Sequence, residues 1–157
     1  MNGHDRRHWA SAGCLADLGE LTAQWCEGHL TQTPSHAGPP AAETLPYLDL
    51  LAAVNRAGFV TENSQAAGPE WTAWVCGFAD AGTAARLAAE VAFTRLAFKG
   101  MPWAARRGMR HWYRCSCPAA RRAIRAARVL WLEDPEPGRN DLLWPVLAAF
   151  ASGGGHG

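Results

Sequence analysis

Residues 45–78 read LPYLDLLAAVNRAGFVTENSQAAGPEWTAWVCGF and change from a helical to a β periodicity within one stretch. Leu48, Leu51 and Val54 recur every three residues, a spacing that places them on one face of a helix. Gly58 then stands where a helix typically ends, because glycine adopts the backbone conformation of a helix C-terminus without strain. The stretch therefore predicts a helix that stops sharply before a strand.

Two short strands are predicted after that helix. Gly58–Thr61 is short, apolar and β-prone, and residues 71–78 alternate aromatic with small side chains. Residues 63–70, which lie between these two segments, are rich in turn-forming residue types. We therefore predict a β-hairpin whose loop covers residues 63–70.

The same patterns predict the elements on either side of the hairpin. Helices are expected over residues 15–27 and 82–98, from Pro118 onward, and over residues 141–150; short strands are expected over residues 109–114 and 129–132. This alternation favours an α/β or α+β fold, in which a short mixed sheet is flanked by about four to five helices.

The length and composition fit one compact domain. The chain has 157 residues, of which 48% are hydrophobic, enough to build a core and to exclude disorder as the main state. No apolar run reaches the roughly 18 residues of a membrane-spanning helix, and no export signal is visible, so a cytoplasmic protein without a membrane partner is expected. We predict a flexible arm over residues 1–13, a globular domain over residues 14–151 and a flexible Gly-rich tail over residues 152–157.

Positive charge is concentrated in one segment, although the net charge is only +1. Residues 91–132 contain ten basic residues and no acidic residue. Arginine pairs with phosphates and tryptophan stacks on bases, so segment 95–128 predicts binding of an anionic ligand, a nucleotide or nucleic acid. The alternative is a solvated basic face that docks on the acidic first half of the chain. The candidate ligand-binding residues in this segment are Trp103, Arg106, Arg107, Arg110, Trp112 and Arg114.

Two polar motifs suggest an alternative function, a small enzyme. Each motif follows a predicted strand, and if these strands are parallel neighbours, both motifs lie at one edge of the sheet. The candidate pocket residues are Asn55, Ser64, Gln65, Asp134, Arg139 and Asn140. Asp134 and Glu136 are the candidate catalytic acids. Arg139 is the candidate residue for binding an anionic group through two N–H groups of its guanidinium. Each motif also has a structural interpretation, in turns, helix caps and local ion pairs.

Cysteine and tryptophan residues give weaker signals. The five cysteines are expected to be reduced thiols, and their spacing predicts neither a metal site nor any other cofactor. Cys14 and Cys26 are expected in the core, whereas Cys117 is either a packed thiol or an activated thiolate at a helix N-terminus. Trp25, Trp74 and Trp131 are also expected in the core, and Trp103 and Trp112 are better candidates for stacking on a ligand.

Three stretches resemble a known family. These are LADLGELTAQW at residues 15–25, NRAGFVT at residues 55–61 with Ser64 and Gln65, and DPEPGRND at residues 134–141 with the following Leu143–Pro145. They resemble a family of uncharacterised actinobacterial proteins, mainly from Streptomyces and its relatives, that carry a domain of unknown function. The resemblance covers both ends of the chain better than its middle. It implies a source and a cytoplasmic compartment, but no activity and no protein partner.

Overall fold

A four-stranded antiparallel sheet lies between two groups of helices, which confirms the predicted mixed fold. The computed structural model describes residues 1–102, Trp112 and residues 117–153. The helices of the described chain are α1 (Gly3–Ser11), α2 (Leu15–Cys26), α3 (Leu48–Arg56), α4 (Ala81–Val91), α5 (Pro118–Ala126) and α6 (Leu143–Gly153), with a 3-10 helix at Ala42–Tyr47. The strands are β1 (Val60–Gln65), β2 (Trp74–Ala79), β3 (Ala97–Pro102) and β4 (Arg128–Glu133).

The strand order is β1-β2-β4-β3, and every neighbouring pair is antiparallel. The expectation that β1 and β4 are parallel neighbours is therefore wrong, because β2 lies between them and pairs with both. Since β1 and β4 each run opposite to β2, they still point the same way. Gln65, Trp74 and Glu133 consequently share one register position at the same end of the sheet.

The predicted hairpin forms for the reason that the sequence suggests. Helix α3 ends at Arg56, and Gly58 follows its C-cap Ala57 with a φ of 100°, in the region that favours glycine. The amide N–H groups of Gly58 and Phe59 donate to the carbonyl oxygens of Asn55 and Val54, at 3.1 and 3.3 Å. The chain thereby turns directly into β1, and β1 and β2 pair as the predicted hairpin.

One face of the sheet is covered by α3, α4 and α6. Leu130 and Leu132 of β4 and Val75 of β2 point to this face and are buried. They pack in one apolar cluster with helical side chains such as Leu51, Val54, Leu87, Leu147 and Phe150. This cluster is the larger of the two cores.

The described residues cover the opposite face over only part of its length. Val60, Phe78 and Val129 form one row across three strands, and they are buried in one cluster with side chains of α1, α2 and α5. Trp112, which the sequence suggested as a ligand-stacking residue, lies instead in this core with no exposed surface. Its ring meets that of Phe78 edge-on, at 5.2 Å between centroids. Trp112 is therefore a packing residue.

The N-terminal residues are helical and anchored, so the prediction of a flexible arm over residues 1–13 is wrong for α1. Trp9 is fully buried, packs edge-on against Trp112 and donates from Nε1 to the carbonyl oxygen of Gln32 at 3.0 Å. Asp5 is buried as well and accepts hydrogen bonds from the backbone N–H and the hydroxyl of Thr31, at 3.0 and 2.6 Å. This attachment was not predicted because residues 1–13 are mostly polar and Trp9 is the one large apolar side chain of α1 that is buried.

Two further expectations need correction in the second half of the chain. The helix predicted over residues 82–98 ends at Val91, and Ala97–Pro102 forms the edge strand β3 instead. The hydroxyl of Thr94 donates to the carbonyl oxygen of Val91 at 2.9 Å and accepts from the amide of Leu96, which turns the chain out of the helix. The strand predicted over residues 109–114 lies outside the described residues apart from Trp112. The strand predicted over residues 129–132 is confirmed as β4.

One of the two cysteines expected in the core is buried, and the last helix extends into the predicted C-terminal tail. Cys26 is buried as expected, and burial raises the pKa of its thiol to about 12. Cys14 is exposed, contrary to the expectation, because it is the N-cap residue of α2. Helix α6 continues through Ser152 and Gly153, two residues of the predicted tail, and residues 154–157 lie outside the described chain.

Gly77 of β2 has no room for a side chain. A Cβ there would collide with the carbonyl oxygen of Val60 and lie 2.9 Å from the Cα of Thr61. Gly77→Ala should therefore lower the free energy of unfolding by about 3 kcal/mol or more, measured by urea denaturation. Gly100→Ala is the matched control, because among the described residues a Cβ there meets Leu130 alone, at an ordinary 3.6 Å. Equal stabilities of the two variants would contradict the close packing of β1 on β2.

Asp5 should make the stability depend on pH. Burial raises its pKa, but hydrogen bonds from Thr31 and from His4 outweigh burial and leave the pKa below its usual value. The carboxylate therefore stabilises the protein above about pH 4, and this contribution is lost as the pH falls through the folded-state pKa. Asp5→Asn should be less stable at neutral pH and lose less stability on acidification, measured by urea denaturation at each pH. Asp49→Asn, at an exposed position, should keep the wild-type pH dependence, and the same dependence in Asp5→Asn would refute this role.

Candidate functional site

Beyond the row of Val60, Phe78 and Val129, the same face of the sheet carries two rows of polar and aromatic side chains. Each row crosses all four strands in the order β1, β2, β4, β3. The rows are Asn63, Cys76, Trp131 and Lys99, followed by Gln65, Trp74, Glu133 and Ala97. We call these eight residues the tryptophan strip.

The two tryptophans of the strip are stacked on each other. Their ring centroids are 4.6 Å apart and the ring planes differ by 12°. They occupy diagonal positions on adjacent antiparallel strands, a placement from which large side chains reach each other. Both are half-buried, and Cys76 between them is buried. The expectation that Trp74 and Trp131 belong to the core is therefore only partly met, because each ring keeps some exposed surface.

The orientation of Trp131 is fixed by a carboxylate. Its Nε1–H donates to Oε2 of Glu133 at 3.1 Å, and the hydroxyl of Thr72 donates to Oε1 of the same residue at 2.8 Å. A carboxylate accepts both bonds at once, one on each oxygen. The ring of Trp131 is thereby held in place from the polar end of the strip.

A cleft of about 410 Å³ borders the stacked pair, within the usual size range of small-molecule sites. It is lined by Ser35, His36, Glu62, Asn63, Trp74, Cys76 and Trp131. A β-bulge between Thr61 and Asn63 breaks the register of β1 at this point. Bulges re-aim side chains, and here Glu62 and Asn63, which follow each other in the chain, both line the cleft.

The polar side chains of the cleft wall are partly engaged. Asn63 accepts the backbone N–H of Ser64 on Oδ1 at 2.9 Å. Ser35 accepts the Nε1–H of Trp112 on its hydroxyl oxygen at 3.1 Å. The Nε2 atom of His36 lies 3.1 Å from the carbonyl oxygen of Pro39, and its ring packs edge-on against Trp25. These contacts fix the wall while leaving hydrogen-bonding capacity on Asn63 and Ser35.

Arg139, a predicted anion fork, is held by carboxylates of its own loop. Its guanidinium donates to Glu136 at 2.8 Å and to both oxygens of Asp141 at 2.9 and 2.7 Å. Arg95 adds an ion pair to Glu136 at 2.8 Å. The pKa of Glu136 is lowered, first by the hydrogen bond from Arg139 and then by the charge of Arg95. The carboxylates therefore occupy the position that an anionic ligand of Arg139 would take.

The loops after β1 and β4 do meet, at the end of the sheet where Gln65 and Glu133 lie. The side chain of Asn140 accepts the N–H of Ala67 at 2.8 Å and donates to its carbonyl oxygen at 3.2 Å. The same oxygen of Asn140 accepts Nε1–H of Trp144 at 3.0 Å. Gln65 donates to the carbonyl oxygen of Thr72 at 3.4 Å. These contacts join the two loops, and the named side chains are engaged in doing so.

Asn55 lies at the other end of β1, next to Thr61. Its Nδ2 donates to the carbonyl oxygen of Leu51 and to the hydroxyl of Thr61, both at 2.8 Å, and its Oδ1 accepts the N–H of Thr61. The structure thus separates Asn55 from the loop that carries Arg139. Ser64 follows the bulge of β1 and lines a small cavity of about 30 Å³.

Asp134 is buried at the end of β4. Its Oδ1 accepts the N–H of Glu136 at 3.1 Å, and its own N–H donates to the carbonyl oxygen of Ala73. Within the part of the chain that the structure describes, its Oδ2 has no hydrogen-bond partner. The contacts of Asp134 start the turn after β4, whereas Glu136 belongs to the surface ion pairs of Arg139.

The basic segment is described only in part. Trp103, Arg106, Arg107, Arg110 and Arg114 lie outside the described residues, as do His111, Tyr113 and Cys115. Lys99 is exposed on β3 and stands directly opposite Trp131 in the register. Arg122 and Arg128 are also exposed, on α5 and at the start of β4. Cys117 caps α5 and donates its thiol to the carbonyl oxygen of Ala12 at 2.8 Å, so it is engaged in packing α5 against α1.

The fold and the strip define a small α+β domain whose antiparallel sheet carries a tryptophan pair beside a cleft. Residues 4–98 match the family model described as Domain of unknown function (DUF6919), more than half of the chain, and the protein belongs to this family. The predicted resemblance to an uncharacterised family is thereby confirmed, and the matched range contains the stretches at residues 15–25 and 55–61. No curated protein matches the chain. None of the helices in the described ranges is both long and apolar enough to cross a bilayer.

Glu133→Leu should loosen the tryptophan pair. A leucine offers no acceptor, so both Thr72 and Trp131 lose theirs. Stacked tryptophans produce a paired band of opposite signs in circular dichroism, and this band should weaken in the variant. Stability should fall by about 1 kcal/mol. Glu136→Leu, at an acid on the neighbouring loop, is the control that should keep the band, and an unchanged band in Glu133→Leu would show that the carboxylate does not orient the pair.

Proposed function

We propose that this protein is a binding module for an anionic ligand that carries a planar ring, namely a nucleotide or nucleic acid. In this proposal the tryptophan strip provides the stacking surface and the adjoining cleft accommodates the ring. The carrying observation is the Trp74–Trp131 pair, stacked at 4.6 Å and half-buried beside a cleft of about 410 Å³. Tryptophan stacking contributes about 1–3 kcal/mol per base and tolerates any base, because every base has a π-face.

The rigidity of the pair supports this proposal. Trp131 is oriented by Glu133, and Trp74 is oriented by its contact with Trp131. A stacking surface that exists before the ligand arrives does not lose side-chain entropy on binding. Most of the favourable free energy of stacking should therefore contribute to the free energy of binding.

The local charge also supports it. Lys99 stands directly across the strand pair from Trp131, within reach of a phosphate attached to a ring stacked there. The strip belongs in part to segment 91–132, in which all ten charged residues are basic. The carboxylate of Glu133 is turned toward the hydroxyl of Thr72 and the indole N–H of Trp131. Lys99 is therefore the group of the strip that would hold a phosphate.

The enzyme alternative receives less support from the contacts. It needs Asn55, Ser64 and Gln65 close to Asp134, Arg139 and Asn140. Asn55 is held at the other end of β1, and the guanidinium of Arg139 is held by two carboxylates. We therefore propose binding rather than catalysis.

Substitution of the strip tryptophans tests the proposal. Trp74→Ala and Trp131→Ala should each weaken binding of labelled single-stranded oligonucleotides or nucleotides by about tenfold or more, measured by fluorescence anisotropy at low salt. Trp71→Ala is the matched control, because Trp71 is 50% exposed on the hairpin loop and lies outside the cleft. A cooperative urea unfolding transition would verify that each variant keeps its fold.

Two outcomes would contradict the proposal. The first is absence of binding to every nucleotide, single strand and duplex offered at low salt. The second is an unchanged affinity in both strip variants. Affinity for oligonucleotides should also fall steeply as salt is raised, because contacts with phosphates release counterions. An affinity that does not depend on salt would be compatible with stacking on the tryptophans, but it would contradict the proposal that the ligand is an anion.

A further inference from the structure

We infer that the cleft selects a ring whose edge carries carbonyl oxygens on both sides of an N–H, as uracil does. This inference rests on the proposed function and names the class of base that the site prefers. Its basis is the assignment of protons on three side chains of the cleft wall, Ser35, His36 and Asn63. The hydrogen bonds that these side chains already make determine what each has left to offer a ligand.

Asn63 offers a donor. Its Oδ1 accepts the backbone N–H of Ser64 at 2.9 Å, and a backbone N–H only donates, so the amide orientation is settled. The Nδ2 group therefore points away from that bond and carries two protons. Asn63 is exposed, lies at the bulge of β1 and lines the cleft. A ring carbonyl is a suitable acceptor for this group.

Ser35 offers a second donor, as the hydrogen bonds around Thr33 show. The hydroxyl oxygen of Thr33 accepts the backbone N–H groups of Ser35 and His36, at 3.3 and 3.0 Å. Both lone pairs of Thr33 are thereby used, so its own proton is the one directed to Oγ of Ser35, 3.4 Å away. Oγ of Ser35 also accepts the Nε1–H of Trp112. With both of its lone pairs engaged, Ser35 has its proton left to donate.

His36 offers an acceptor. Its Nε2 lies 3.1 Å from the carbonyl oxygen of Pro39, and a carbonyl oxygen only accepts, so Nε2 carries the proton. In the neutral ring Nδ1 is then the acceptor. Glu62, which also lines the cleft, has an interaction partner of its own. Ser35, His36 and Asn63 together therefore present two donors and one acceptor.

Two donors and one acceptor complement the edge of uracil, which has two carbonyl oxygens around an N–H. Cytosine has the same size and shape but replaces one carbonyl by an amino group and loses the ring N–H. Hypoxanthine and adenine differ in the same two groups, since adenine has an amino group in place of the carbonyl and no proton on the neighbouring ring nitrogen. The amino group of cytosine or adenine would face a donor of the protein, and neither group would then have a hydrogen-bond acceptor. Binding sites discriminate between ligands through such unpaired polar groups. Stacking alone would not distinguish the members of either pair.

Two matched pairs of ligands test the inference. Uridine monophosphate should bind about tenfold more tightly than cytidine monophosphate, and inosine monophosphate more tightly than adenosine monophosphate, in calorimetric titrations at low salt. Asn63→Asp keeps the bond from Ser64 but replaces the Nδ2 donor by an acceptor. The preference for uridine over cytidine should therefore vanish or reverse in this variant. The ratio of affinities cancels the effect of the added charge on the phosphate.

Lys99→Gln provides the contrast within the same site. It should weaken all four nucleotides alike and leave both ratios unchanged, because Lys99 acts on the phosphate. Equal binding of uridine and cytidine monophosphate to the wild type, or an unchanged ratio in Asn63→Asp, would overturn the inference. If Trp131→Ala still weakened binding of all four nucleotides, the proposed nucleotide-binding function would stand although the base preference had failed. If neither the four nucleotides nor oligonucleotides bound, both the proposed function and the base preference would be contradicted.

Discussion

The packing of Trp112 between Trp9 and Phe78 determines how much of the sheet is available to a ligand. These three rings meet edge-on and are fully buried, and they bring α1 and the loop around Ser35 onto one face of the sheet. Among the residues that the structure describes, the cover they form ends at the row of Val60, Phe78 and Val129. The next two rows are therefore left to side chains of mixed character, the tryptophan strip. The core and the site are two parts of one sheet face.

Charge in this protein is largely arranged in local groups. Arg56 holds Glu20 and Glu27, and Arg139 holds Glu136 and Asp141. Such exposed pairs contribute little to stability, but they neutralise the acids that would otherwise repel an anion. Arg122, Arg128 and Lys99 remain exposed on the described part of the basic segment. Local pairing thus explains how a chain with a net charge of only +1 keeps a basic region.

The local elements could be predicted from the sequence, whereas their long-range arrangement could not. The periodicity of Leu48, Leu51 and Val54 and the position of Gly58 predict α3 and the hairpin, because both depend on neighbours in the chain. Strand β3 was missed because Ala97–Pro102 continues an Ala-rich helical pattern and contains a glycine and a proline. The direction of β4 relative to β1 depends on pairing with β2, which no local pattern encodes.

The residues of the tryptophan strip could not be predicted as one site either, because they come together through long-range pairing of the strands. Asn63 and Lys99 lie in segments that are distant in the sequence, and nothing in the sequence links them to Trp131, since the row that joins them crosses all four strands. Tryptophan spacing likewise does not distinguish Trp112, which is buried, from Trp131, which borders a cleft. That difference depends on where the cover of the sheet ends. The polar motifs around Asn55 and Asn140, in contrast, make the structural bonds that their residue types allow.

The central claim is that ligands stack on Trp74 and Trp131, and the indole N–H signals of the tryptophans test it most directly. In a nitrogen–proton correlation spectrum, each of the eight tryptophans gives one side-chain signal, assignable by single substitutions. On titration with uridine monophosphate, the account predicts that the signals of Trp74 and Trp131 shift with a common saturation curve. The signals of Trp71 and Trp144, which do not line the cleft, should stay in place. Shifts confined to other tryptophans, or none at saturating ligand, would contradict the account.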